Sequence, residues 1–335
     1  MINKQSLPLL HRGKNLLAFS GGVDSSALFF LLLKEKIPFD IAIVNYQVRD
    51  ASTSEVAYAQ ELAKKNDKQC FLLKAKLSSE NFEAQARKVR YDFFEALIAE
   101  HHYTNLLTGH QLNDRLEWFL MQLSKGSGLY ELLGSQIIEK REGYNLVRPL
   151  LEITRARIYE YLHTQQIHYF EDASNTEEHY KRNLFRNQLS NQLLERFPQG
   201  IEKSFTYLDE DLQELLEAEP VVEKIDELYY FKRPASRRTA VISIDRVLKE
   251  LGFLMRQGDK EALKHVDEQV VGRRYVVAFS STLCFIAPFK TAKMPKAFRE
   301  SCRLLKIPQK LRPYLFENRS AFDRIAIELT NNSTT

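Results

Sequence analysis

The residues best suited to chemistry in this 335-residue chain are Ser20-Gly21-Gly22-Val23-Asp24-Ser25-Ser26. An apolar run, Asn15-Leu16-Leu17-Ala18-Phe19, precedes them, and a second, Ala27 to Leu33, follows. The pattern predicts a buried strand, a turn of small residues and then a helix. Paired glycines carry no Cβ, so backbone amides can curl around an anion. The serine hydroxyls add donors, and the helix start adds the positive end of its dipole. Phosphate is the ligand that fits. No lysine follows Gly22 and there is no G-x-G-x-x-G spacing, so neither the common nucleotide loop nor the dinucleotide fingerprint applies. Taken alone, a lone glycine turn with Asp24 and Ser25 capping the helix would account for such a string.

The elements around this turn alternate. Asp40–Tyr46, Cys70–Leu73, Thr104–Thr108 and Tyr144–Leu150 read as strands or extended segments. Helices are expected from Ser52, with a Ser52-x-x-Glu55 capping box, to about Asn66, and then over about 79–102, 113–125, 154–166 and 177–196. This order predicts an α/β fold whose doubly wound parallel sheet, Rossmann-like, is covered by helices on both faces. Ligands of such sheets bind at the carboxyl ends of strands. Ser20–Ser26 and Gly109–Asn113 both fall there. Trp118, Phe119 and Leu120 are expected in the core, and His110 in a turn. Phe197-Pro198-Gln199-Gly200 breaks the pattern. The expected organisation is a catalytic domain over 1–200, a connecting helix over 201–219 and a smaller α+β region over 220–335. In that region helices are expected over 237–256 and 259–265, and a β-hairpin over 269–285.

Composition narrows the class. With 44% hydrophobic and 27% charged residues the chain reads as an ordinary globular protein. Its longest apolar run falls far short of the roughly 20 residues that span a bilayer, and the N-terminus lacks a secretory signal. No membrane association and a cytoplasmic location are the expectations. Cys70, Cys284 and Cys302 form no C-x-x-C pair, which argues against a structural zinc site and a disulfide framework. Residues 221–335 hold 22 Lys and Arg against 13 Asp and Glu, whereas the rest of the chain is mildly acidic. A basic C-terminal third suits either a polyanionic partner or a plain solvated surface.

Ser20–Ser25 resembles the SGGxDS signature of the PP-loop ATP pyrophosphatases. Further blocks narrow the resemblance. Ala86-Arg87-Lys88-Val89-Arg90-Tyr91-Asp92-Phe93-Phe94 is similar to the A-R-x-x-R-Y-x-F-F helix of tRNA(Ile)-lysidine synthetases. Gly109-His110-Gln111-Leu112-Asn113-Asp114-Arg115-Leu116-Glu117 resembles their H-H-x-D-D-x-x-E-T motif, with Gln111, Asn113, Arg115 and Trp118 as departures. Lys125-Gly126-Ser127-Gly128, Arg148-Pro149-Leu150-Leu151 with Arg155, Glu171–Asn175 and Arg182–Arg186 match further blocks in order. Lys306–Leu315 resembles the family's I-P-x-x-x-R…P-L segment.

The resemblance implies a reaction. ATP adenylates the C2 oxygen of the wobble cytidine in a CAU-anticodon isoleucine tRNA, and the ε-amine of L-lysine displaces AMP. Ser20, Gly21, Gly22, Val23, Asp24 and Ser25 would then cradle pyrophosphate, with Asp24 holding Mg²⁺. Arg87 and Arg90 would neutralise phosphate charge. Asp114 and Glu117, three apart on one helical face, would bind the lysine amine and help deprotonate it. Asp172, Asn175, Arg182 and Arg186 would position the tRNA, although Asp172 and Asn175 suit an Asx-type cap equally well. Another PP-loop ligase and a tRNA-binding protein without catalysis are the alternatives. Which tRNA elements the basic region touches, and whether the chain is a homodimer, stay open.

Overall fold

The computed structural model describes residues 1–47, 51–77, 82–171, 184–217 and 220–331. The chain divides into two units, Met1–Glu210 and Asp211–Thr335, the division falling inside one long helix. The first unit opens with α1 (Leu7–Arg12), β1 (Asn15–Ala18) and α2 (Val23–Lys34). It continues through β2 (Phe39–Asn45), α3 (Ala51–Lys65), β3 (Cys70–Lys74), α4 (Phe82–His101) and β4 (Asn105–Leu107). Next come α5 (Leu112–Leu123), α6 (Leu129–Leu133), β5 (Ile138–Arg141), β6 (Tyr144–Val147) and α7 (Arg155–Thr164). A π-helical turn (Phe185–Ser190), α8 (Asn191–Arg196) and α9 (Pro198–Glu217) follow.

The strands form one six-stranded sheet in the order β3-β2-β1-β4-β6-β5, parallel except for the edge strand β5. Alternate residues face opposite sides, as a pleated strand requires. Leu17, Ile41, Ile43, Leu107 and Val147 pack with Leu28, Leu32, Leu62 and Ile158. Leu16, Ala42, Leu106 and Leu146 pack with Phe94, Leu97 and Tyr103 instead. Both faces are therefore covered, which is why these strands read as near-continuous apolar runs. The chain runs outward from β1 to β3 and then returns to the other side of β1 with β4. That reversal makes the gap between the ends of β1 and β4 the topological switch point, where ligands of open α/β sheets bind.

Three asparagines, Asn15 and Asn105 buried and Asn145 half-buried, tie the opposite, amino-terminal ends of the strands together. Asn15 and Asn105 are paired in register across β1 and β4, and Asn105 and Asn145 across β4 and β6. Asn105 Nδ2 donates to Asn15 Oδ1 at 2.9 Å, and Asn145 Nδ2 donates to Asn105 Oδ1 at 3.0 Å. Asn15 Nδ2 donates onward to the carbonyls of Leu10 and Pro38, at 2.8 and 2.7 Å. A one-residue slip would turn these amides into an apolar layer, so the ladder fixes register. Gly13 makes room for it, because a Cβ there would stand 2.1 Å from Asn105 Nδ2.

Several expectations are corrected at their edges. The helix is already formed at Ala51, so Ser52 does not open it. The strand after Tyr144 stops at Val147, and Arg148–Leu151 turns, closed by Leu151 N–H donating to the Arg148 carbonyl. Of the helix expected over 177–196, residues 177–183 lie outside the described residues.

In the second unit, β7 (Glu223–Ile225) and β8 (Leu228–Lys232) precede α10 (Arg237–Glu250) and α11 (Gln257–Leu263). Then come β9 (Glu268–Val271), β10 (Tyr275–Phe279), β11 (Leu283–Pro288), α12 (Lys296–Leu304), α13 (Arg312–Glu317) and α14 (Arg319–Asn331). The five strands form an antiparallel sheet, β7-β8-β11-β10-β9. The expected hairpin over 269–285 is thus the middle of a larger sheet. Val271 pairs with Tyr275 across a three-residue turn, with positive φ at Gly272 and Arg273 and Arg274 N–H donating to the Val271 carbonyl at 3.1 Å. The expected helix 237–256 ends at Glu250, ahead of Gly252 at φ +73°. Val276, Ala278, Phe285 and Ala287 pack with Phe298, Leu315 and Ile325, while Val277, Phe279, Cys284 and Ile286 pack with Ile244 and Leu248.

The asparagine ladder yields a prediction for stability. Asn105→Ala removes one amide and leaves two others half-satisfied in a buried place, at a cost of about 1–3 kcal/mol. Urea unfolding monitored on the sheet should register that loss, and an unchanged midpoint would mean that the ladder contributes nothing.

Candidate active site

The turn after β1 is built around two glycines with different duties. Gly21 has φ +76°, and a Cβ there would also approach the Phe170 ring to 3.3 Å. Gly22, extended at φ −73° and ψ 173°, caps α2. Phe170 N–H donates to the Gly21 carbonyl at 2.9 Å, holding the turn from outside. Within it, Ser25 Oγ accepts from Ser20 N–H at 3.2 Å, lies 3.1 Å from Ser20 Oγ and donates to the Gly22 carbonyl at 3.2 Å. Ser26 Oγ donates to the Gly21 carbonyl at 3.1 Å. The hydroxyls thus hold one another, and the first-turn amides of α2 are left without intrahelical partners.

The end of β4 closes on this turn. A Cβ on Gly109 would lie 3.1 Å from the Asp24 carbonyl carbon and Cβ, and 3.2 Å from Ser25 N, so only glycine lets the two backbones approach this closely. His110 Nδ1 lies 2.8 Å from Thr108 Oγ1, which fits its expected place in the turn. Gln111 then caps α5. Its side chain accepts from Asn113 N–H at 2.6 Å, and Asp114 Oδ2 accepts from Gln111 N–H at 3.1 Å.

Asp114 and Glu117 do share a face, and one cation joins them. Arg186, on the π-helical turn, donates from Nη2 to Asp114 Oδ1 at 3.1 Å and from Nε to Glu117 Oε2 at 2.8 Å. The Glu117 side chain is only 2% exposed, so this charge is paired rather than solvated.

Asp24 faces the same group. Its Oδ1 is buried without a hydrogen-bond partner. Burial first, and then the Asp114 carboxylate, push its carboxyl up to about 7, opposed by the guanidiniums of Arg155 and Arg186. Arg155 begins α7 behind the Thr154 cap, and its Nε is also buried without a partner. An acceptor and a donor both left open beside a phosphate-shaped turn fit an anion arriving with a counter-cation. No group of three or more His, Cys, Asp and Glu side chains suited to a metal gathers among the described residues.

The other sequence candidates divide. Arg87 and Arg90 are exposed on α4. Arg87 lies 4.9 Å from the centroid of the Tyr91 ring, and Arg90 stands near Tyr46 at the end of β2. Neither is hydrogen-bonded to the glycine turn or to Asp114 and Glu117. Asp172, Asn175 and Arg182 lie outside the described residues. Trp118 is not core: it is 43% exposed, and its Nε1 donates to the Glu131 carbonyl at 2.9 Å over Gly134, where no Cβ would fit. Arg115 is instead fully buried, bonded to Asp209 and 4.4 Å from the Phe205 ring centroid. Sequence reasoning gave Arg155 no role of its own, although it belongs to the matching block that begins at Arg148 and sits just behind a helix cap.

Asp24 carries a prediction in pH. A carboxyl titrating near 7 in the fold but near about 3.9 when unfolded binds its proton more tightly in the folded state. Its contribution therefore falls as pH rises from about 4 to about 7 and is level above. Asp24→Asn should raise Tm at pH 8 by roughly 2–4 °C for each 1 kcal/mol relieved. The gain should shrink towards pH 4 while ATP cleavage is lost. An equal or lower Tm at pH 8 would contradict the burial argument.

Residues 2–193 match the PP-loop domain family. The tRNA(Ile)-lysidine synthase of Wolinella succinogenes is 48% identical, over 94% of this chain and 97% of that protein. Those of Campylobacter jejuni strain RM1221 and Helicobacter pylori strain 26695 are 43% and 42% identical, over 95% and 93% of this chain and 97% and 92% of theirs. Among solved structures, the U34-tRNA thiolase NcsA of Methanococcus maripaludis shares the fold, with a TM-score of 0.52 at 19% identity over 66% of this chain and 78% of that one. With a phosphate-type turn at the switch point and relatives matching along nearly its whole length, this chain belongs to the tRNA(Ile)-lysidine synthase family and carries the ATP-using PP-loop domain.

Proposed function

We propose that this chain joins L-lysine to the C2 position of the wobble cytidine in the CAU anticodon of an isoleucine tRNA, consuming ATP. The observation that carries the reading is the meeting of the Ser20–Ser25 turn with the Asp114–Glu117 pair at one switch point. One half of that site suits a polyphosphate, and the other suits a cationic amine.

The chemistry divides accordingly. The turn's hydroxyls and the first-turn amides of α2 would take the pyrophosphate that leaves when the cytidine oxygen is adenylated. Arg155, with its open Nε, would meet the same negative charge. Asp114 and Glu117 would bind the lysine ammonium, sharing it with Arg186, and orient the amine for attack on the activated carbon. Asp24 and Asp114 would hold Mg²⁺, since magnesium is commonly bound by one or two carboxylates together with substrate phosphates. A magnesium ion there would screen the triphosphate and polarise the bond that breaks. Arg87 and Arg90 belong to the proposal as a more distant source of positive charge. Asp172, Asn175 and Arg182 belong to it as tRNA contacts.

The basic region over 220–335 would bind the tRNA backbone. No helix among the described residues is long and apolar enough to cross a membrane. The cytoplasm, where ATP, lysine and tRNA meet, is the proposed location.

The deciding assay combines ATP, radiolabelled lysine and unmodified CAU-anticodon isoleucine tRNA. Lysine should enter the RNA. Asp114→Asn and Glu117→Gln should each reduce transfer by at least about 100-fold, with tRNA affinity within a few-fold of wild type. ATP cleavage without lysine incorporation would point to a different ligase. Binding of tRNA without ATP cleavage would leave only a binding protein.

A second measurement concerns charge. The logarithm of tRNA affinity should fall linearly with the logarithm of salt concentration. Replacing three exposed lysines or arginines of residues 221–335 by alanine should reduce that slope by up to about 2–3. An unchanged slope for every such triple variant would remove the basic region from the interface.

A further inference from the structure

Asn113 stands where the resembling motif carries an aspartate, and its amide is used at both ends. Its Oδ1 accepts from Arg155 N–H, in the first turn of α7, at 3.0 Å. Its Nδ2 donates to Asn191 Oδ1, just beyond the π-helical turn, at 2.9 Å. One small side chain on α5 therefore reaches the two segments that carry Arg155 and Arg186.

The π-helical turn makes the second arm effective. In an α-helix, residues five apart diverge by about 140°. Hydrogen bonding from i to i+5 widens the turn, so that residues five apart diverge much less. Arg186 and Asn191 are five apart, and both bond to α5, the first to Asp114 and Glu117, the second to Asn113. Ser190 Oγ donates to the Arg186 carbonyl at 3.1 Å, within the same widened turn. Were this stretch α-helical, holding Asn191 against Asn113 would swing Arg186 away from the carboxylates.

We infer that Asn113, with Asn191 as its partner, is a positioning residue that sets the reach of Arg186 to the amine-binding carboxylates and of Arg155 to the phosphate turn. The inference rests on the proposed reaction for what those arginines do, but the brace itself is a matter of geometry. It predicts an asymmetry. Losing Asn191 frees only the Arg186 arm, whereas losing Asn113 frees both.

The test uses the full-length protein and four variants. Asn191→Ala should raise the KM for lysine by about tenfold and leave the KM for ATP within about twofold. Asn113→Ala should raise both, and Asn113→Ala with Asn191→Ala should match Asn113→Ala alone, because the bond is already lost. Asn191→Asp, which still accepts from Asn113 Nδ2, should return the lysine KM to within about threefold of wild type. Amide hydrogen exchange provides a readout free of catalysis, with residues 184–191 exchanging about tenfold faster in both alanine variants. Unchanged KM values in folded, active variants would overturn the inference. So would parallel losses for both substrates that track a lowered Tm. If wild type transfers no lysine, the functional reading fails, and exchange at 184–191 alone then decides the brace.

Discussion

The head of the first sheet depends on one guanidinium. Asp114 and Glu117 share one face of a helix, and Asp24 on the glycine turn lies near Asp114. Burial first, and then the nearby Asp114 carboxylate, disfavour the charged form of Asp24. Arg186 relieves this by bonding to two of the three carboxylates at once. The Arg155 guanidinium also acts on Asp24, whose Oδ1 stays without a hydrogen-bond partner. Asp114 and Glu117 are thus held as charge-paired acceptors of the arginine.

Much of this was legible in the sequence, and the reason is locality. Strand, glycine turn and helix follow one another within twenty residues, so periodicity and turn chemistry locate them. Asp114 and Glu117 share a face because their spacing demands it. What could not be read were partnerships across long separations. Nothing near Arg115 announces Asp209, and nothing near Asn15 announces Asn105 and Asn145. Trp118 looked like core because large apolar residues usually are. Its exposed place follows from Arg115 and Glu117, charged residues that turn inward because each finds an opposite charge there. The five-stranded sheet was half seen, since β7 and β8 are short and lack clean alternation.

The departures from the resembling motif acquire physical meaning in the fold. Gln111 caps a helix, Asn113 ties two helices to a third, and the buried Arg115 pairs with Asp209. Asn113 takes one carboxylate out of the motif, while Asp114 and Glu117 keep theirs. The altered string therefore keeps the part of the site that handles charge while rebuilding its scaffold.

The asparagine ladder has a consequence for the chain as it is being made. Its first rung joins residues 90 apart and its second joins residues 40 apart. Asn15 leaves the ribosome early, and its Oδ1 has no native partner until β4 brings Asn105, whose own Oδ1 waits for Asn145 on β6. The central strands therefore cannot settle into register one at a time. A nascent chain cut short before Asn145 would carry an intact glycine turn on a sheet that lacks its last anchor.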